Sequence, residues 1–260
     1  MKKIIQIFLA SLLICTNVYA GRACNEVNQT SNVIQQASAS AIKVEKALND
    51  SKAEVVLIAR VGQDLSKYNL KYSHVGLAYK VGNEWSILHE LNTCGSAESA
   101  LYVQGLANFF LDDMFSYESK IFVPSKEFQE TIKNKVISNV KNADKFHSSR
   151  YNMLAYPFST KYQNSNQFIL ELIASTMAKE FNVENREQAQ QWLKLAGYQP
   201  TTLNVGTGTR LGARMFKANI AFDDHPFDRR MAGMIDTITV DSIYSFMSKK
   251  DIKGYFIEVL

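Results

Sequence analysis

His74 to Leu91 reads HVGLAYKVGNEWSILHEL, and this stretch decides the fold. Two apolar runs, His74–Val81 and Glu84–Leu91, flank Gly82-Asn83, a pair that tolerates positive φ, so the stretch predicts an antiparallel hairpin. Before it, Glu54–Val61 (EVVLIARV) is a β-branched run suited to a buried strand. After it, Tyr117–Val123 predicts a further strand, stopped by Pro124. Helical spacing of Val33, Ile34, Ala37, Ala41, Ile42, Val44 and Leu48 predicts an amphipathic helix over 30–48. Ser125 caps another helix that runs to about Asn142, with Phe128, Ile132, Val136 and Val140 in one row. The strongest helical pattern lies over 164–181, where Phe168, Ile169, Leu172, Ile173 and Met177 define one buried face. Helices are also expected over 185–196, stopped by Gly197, and over 237–248, with a last strand from Gly254 to Leu260. Residues 200–235 carry no clear period. Strands, then helices, then a strand favour an α+β fold, an antiparallel sheet packed with helices, over a doubly wound parallel sheet.

Composition agrees with a globular protein. Of 260 residues, 46% are hydrophobic and 21% charged, and 12 Gly with 4 Pro leave no room for a flexible linker. The formal charge of +4 includes Lys2 and Lys3, which stand before an apolar run, Ile4–Cys15, interrupted only by Gln6 and Ser11. Val18-Tyr19-Ala20 then offers a cleavage site. The expectation is a signal peptide at 1–20 and a single α+β domain at 21–260, periplasmic or secreted. The apolar run is too short for a bilayer, which needs about twenty residues, and no later segment is long and apolar enough to span one. Without the two lysines the chain is close to neutral, which argues against nucleic-acid partners. Cys24 and Cys94 remain after the signal, and an even pair in an exported protein reads first as a disulfide, with a reactive Cys94 as the alternative.

Four histidines can carry chemistry. His74 opens a strand on the face opposite Val75 and Leu77, beside Gly76, where another backbone or a ligand can approach closely. It is a candidate general base. His89 and Glu90 point to opposite faces of the partner strand, so one of them can orient His74. His147 is expected in an exposed loop. His225, beside Asp223 and Asp224, lacks the spacing of a metal site, so no metal and no cofactor are expected. Tyr162–Phe168 places small polar side chains at a helix N-terminus, where unsatisfied N–H groups can hold an oxyanion. Gly206, Gly208 and Gly212 miss a dinucleotide fingerprint by one residue. Arg210, Arg214, Lys217, Arg229 and Arg230 read as a solvated face paired with Asp223, Asp224 and Asp228.

Four runs carry a resemblance: ARVGQDLSKYNLKYSHVGLAY (59–79), HELNTCGSAESALYVQGLANFFLDD (89–113), RYNMLAYPFSTKYQNSNQFILEL (150–172) and DDHPFDRR (223–230). They resemble a bacterial family known as domain of unknown function 2145. A looser similarity links the Ser73-His74-Val75-Gly76 context and the 162–168 helix start to the circularly permuted branch of papain-like folds, which includes relatives of NlpC-type cell-wall amidohydrolases. That resemblance implies a papain-like core with His74 as base, His89 or Glu90 as orienting group and Ser165 at the position of the nucleophilic cysteine. Tyr72, Asn164, Asn166 and Gln167 would contact substrate, a peptide, glycan or lipid of the cell envelope. The departure is the serine: a thiol near pKa 8.5 ionises readily at a helix start, whereas a hydroxyl must lose its proton during attack. Hydrolysis or acyl transfer at an amide or ester is the leading expectation, and a groove that binds without catalysis is the alternative.

Overall fold

Strand β1 (Val55–Val61) is the spine of the molecule, buried at all seven residues because both of its faces are covered. The computed structural model describes residues 30–112, 114–251 and 253–260. In it β1 pairs with β2 (His74–Val81) on one side and β5 (Ser116–Val123) on the other. Beyond β2 lie β3 (Glu84–Asn92) and β4 (Ser99–Gly105), and beyond β5 lies β8 (Tyr255–Val259). The six strands run β4-β3-β2-β1-β5-β8, and every pair is antiparallel. The expected hairpin is the β2–β3 pair, and Gly82 turns it with φ of +61°.

Alternation along the strands sorts the core into two layers. Val55, Leu57, Ala59, Val75, Leu77 and Tyr79 face α3 (Lys126–Lys135), α4 (Ser165–Met177), α5 (Arg186–Leu195) and α8 (Val240–Lys250). Val56, Ile58, Ala78 and Ile87 face α1 (Ser31–Ser51) and α2 (Leu106–Leu111). The described residues thus form one mixed α+β domain with helices on both faces of the sheet.

Several elements depart from expectation. Helix α3 stops at Lys135, with Val136 as its C-cap, and the chain continues as 3-10 turns over Ile137–Phe146 that are broken at Asn139, whose backbone is non-helical (φ −147°, ψ 88°). Helix α4 is buried all round from Ser165 to Thr176 and has no solvent face. Neither β4 nor α2 was expected. Residues 200–237 form a separate antiparallel ribbon, β6 (Thr201–Asn204) with β7 (Met234–Thr237), which carries α6 (Thr207–Phe216) and α7 (Phe227–Met231). The glycines of α6 therefore sit in an antiparallel unit, without the parallel crossover that a dinucleotide fingerprint requires. Arg229 pairs with Asp236, Lys161 with Asp223, and Arg210 bonds the carbonyls of Val205 and Arg230, so the expected pairing partners are largely replaced.

Candidate functional site

Asn166 brings two distant parts of the chain together. Its Oδ1 accepts the N–H of Val75 at 3.1 Å and its Nδ2 donates to the carbonyl of Ser73 at 3.2 Å, gripping the backbone on both sides of His74. Ser165 precedes it as the first residue of α4. Asn164 caps that helix, accepting from the N–H of Gln167 at 2.8 Å. The cap consumes one N–H of the first turn, so those of Ser165 and Asn166 remain as donors at the helix start. The carboxamide of Asn164 also holds Thr237 Oγ1 at 3.1 Å, tying α4 to the ribbon.

Behind His74 runs a chain of hydrogen bonds. Its Nε2 lies 2.9 Å from Nδ1 of His89, whose Nε2 lies 3.1 Å from Oε1 of Gln104. A carbonyl oxygen only accepts, so the His89 Nε2–H donates to Gln104. Burial, and then the Arg60 guanidinium, pull His89 down to a pKa of about 4, so its ring is neutral near pH 7 and its Nδ1 accepts. His74 therefore donates through Nε2 to His89. Gly76 makes this approach possible. A Cβ there would meet Ile87 Cγ2 at 2.6 Å and His89 Cβ at 3.4 Å.

Arg60 completes this face of the sheet. It is buried, bridges Asp112 Oδ2 at 2.5 Å, donates to the carbonyl of Asp112 at 2.7 Å and stacks over Phe109 at 4.8 Å. Phe109 also packs edge-on against His89, with ring centroids 5.4 Å apart. A cleft of about 130 Å³ opens here, lined by His74, Ser165, Tyr151, Arg60, Asp112 and the carboxamides of Gln63, Asn92 and Asn219, among others. Tyr151 places its hydroxyl 3.5 Å from Ser165 Oγ.

The structure brings together His74, His89, Ser165, Asn164 and Asn166, and separates the rest. Glu90 points to the opposite face of β3, accepts from Ser99 Oγ at 2.6 Å, and is raised to a pKa of about 8 by burial. It cannot orient His74 from there. Tyr72 is packed in the core, and Gln167 is fully buried behind the cleft, donating to Glu171 at 2.9 Å; neither lines the cleft. His147 is half-buried against Phe168, with Nε2 3.3 Å from Ser99 Oγ, and is not the exposed loop residue expected. His225 is engaged by Asp224 at 2.9 Å and by the Asp236 carbonyl at 3.0 Å, and no metal-binding cluster occurs among the described residues. Cys94 lies in the β3–β4 connection, whereas Cys24 and residues 1–20 lie outside the described residues.

Arg60, Asp112, Tyr151 and Asn219 were missed. Arg60 alone left a trace in the sequence, as a charge inside the apolar run EVVLIARV.

The model of a family described as an uncharacterized protein conserved in bacteria (DUF2145) matches residues 47–247. The chain belongs to this family. No curated protein and no solved structure matches. Every cleft residue named above falls inside the DUF2145 match, while Cys24 precedes it. Among the described residues no helix is long and apolar enough to cross a membrane.

Proposed function

We propose that the chain is an exported hydrolase or acyl transferase of the cell envelope, acting on an amide or ester through Ser165 and His74. The observation that carries this reading is the chain His74–His89–Gln104, which holds an imidazole by one nitrogen at the cleft where the first residue of α4 lies. In this scheme Ser165 Oγ attacks the substrate carbonyl and its proton passes to the imidazole of His74. The N–H groups of Ser165 and Asn166 hold the oxyanion. His74 then returns the proton to the leaving nitrogen or oxygen, and water or a second acceptor takes the acyl group from Ser165. His89 keeps the His74 ring in the productive tautomer.

The hairpin histidine, the later helix-start nucleophile and the antiparallel sheet support a papain-like core in a circularly permuted arrangement. Lys2, Lys3 and the apolar run after them support a signal at 1–20, hence a periplasmic or secreted protein, with Cys24 and Cys94 forming a disulfide. A peptide, glycan or lipid of the envelope is the proposed partner. A second reading, a cleft that binds such material without cleaving it, is favoured by the serine in place of a thiol.

The two readings separate with a fluorophosphonate probe and mapping of the labelled peptide by mass spectrometry. Catalysis requires labelling at Ser165, abolished in Ser165→Ala and slowed about 10²–10⁴-fold in His74→Ala, the range general-base catalysis supplies. Absence of label at Ser165 in the folded wild type would leave the binding reading.

A further inference from the structure

Asn219 is buried, 3% exposed, and lines the same cleft as His74 and Ser165. Its orientation follows from its neighbour. Asn92 commits Nδ2 to the carbonyls of Ser96 at 3.0 Å and Glu98 at 2.8 Å, so Asn92 can offer Asn219 only its oxygen. Asn219 accordingly donates Nδ2 to Asn92 Oδ1 at 3.0 Å. Its own Oδ1 is then an acceptor, buried and without a hydrogen-bond partner. A buried acceptor left unpaired lowers stability, so its retention beside a cleft needs a reason.

The position of this acceptor is also fixed. The carbonyl of Asn219 accepts from the N–H of Met153 at 2.9 Å. Two residues on, Ala221 exchanges bonds with the Asn152 carboxamide at 3.0 and 3.1 Å. Residues 152–153 are in turn held to Gln163, next to the helix cap, through the N–H of Asn152 at 2.9 Å. The acceptor and Ser165 are therefore carried by one hydrogen-bonded frame.

We infer that Asn219 Oδ1, pinned by Asn92, is a specificity determinant that receives the N–H of a secondary amide, so that the cleft selects amides over esters; this rests on the cleft being a substrate site. A cationic donor fits less well, since among the described residues lining the cleft the carboxylate is that of Asp112, which is paired with Arg60 at 2.5 Å. An ester offers the same skeleton with an oxygen where the amide carries N–H, which leaves two acceptors facing each other.

The test compares N-benzylacetamide with benzyl acetate, which differ by that one group. Binding to Ser165→Ala, which prevents turnover, is followed by titration of the backbone amide resonances around the cleft, and while Asn219 is present its side-chain amide resonances are read as well. The amide should bind at least fivefold more tightly than the ester, and the ratio should fall to about one when Asn219→Leu is added. If that variant loses its folded spectrum, Asn219→Gln, which shifts the oxygen by one methylene, is read in the same way. A ratio near one with Asn219 present, a ratio unchanged by its substitution, or no perturbation of Asn219 by the amide would each overturn the inference. Because Ser165 is absent throughout, such a failure is distinct from a failure to label Ser165.

Discussion

Burial acts in opposite senses on two neighbours in β3. It holds His89 neutral by pulling its pKa to about 4, and it keeps Glu90 protonated by pushing its pKa to about 8. For Glu90 the folded pKa lies above the unfolded one, so the folded state retains a proton that the unfolded state releases. Stability is full below about pH 4.5 and falls as pH rises toward 8. For His89 the sign is reversed, with stability lost as pH drops from 6.5 toward 4. Glu90→Gln should therefore remove the alkaline loss. At about 1.4 kcal/mol for each tenfold change in proton affinity, urea unfolding should show the wild type losing roughly 2–4 kcal/mol relative to the variant between pH 5 and pH 8. Equal pH dependence in both would contradict the assignment. Labelling of Ser165 should not change, because Glu90 faces away from the cleft.

At the scale of elements, α4 positions the site because it is anchored from within. Glu171 is fully buried and receives Gln163 at 2.8 Å, Gln167 at 2.9 Å, Gln190 at 2.7 Å and Arg186 Nε at 2.8 Å. Burial raises its pKa and Arg186 opposes that, and since every contact is a donor the carboxylate is the form that fits. Arg186 also bonds the carbonyls of Thr160 at 3.0 Å and Tyr162 at 2.8 Å, so the network fixes the loop that leads into Ser165. Arg186→Met strands a buried carboxylate and should cost about 3–5 kcal/mol in urea unfolding, with Glu171→Leu added recovering part of it. A loss under 1 kcal/mol would mean that the network does not hold the loop.

Sequence periodicity revealed α4 but misjudged its surroundings. Glu171 lies outside the apolar row that marks the helix, and apart from Gln167 on the same helix its partners lie 8 to 19 residues away, which no local pattern reports. Strand β4 escaped notice because it is an edge strand with Tyr102 and Val103 exposed, so alternation is weak, and α2 is six residues long, too short to show a period.

For the whole molecule, the readable part was every strand of the sheet but β4, and the helix start at Ser165. Strand alternation singled out His74 with His89 or Glu90 as its partner, and the structure places the His74 and His89 rings side by side. What stayed hidden is tertiary: Asn166 gripping both neighbours of His74, and the ribbon of 200–237 that delivers Asn219 to the cleft. These contacts span about ninety residues and leave no local signature. They also make the helix start and His74 one unit, and the proposed function depends on that unity. The direct measurement is the titration of a thiol placed at the nucleophile position. In Ser165→Cys, the rate of iodoacetamide modification at residue 165, followed by mass spectrometry against pH, reports thiolate formation. At a helix N-terminus and in one cleft with the His74 imidazole, the thiol should ionise at least two pH units below the free value of about 8.5, and the His74→Ala background should return it most of the way. A titration at or above 8.5 that His74→Ala leaves unchanged would show that the two residues do not act together.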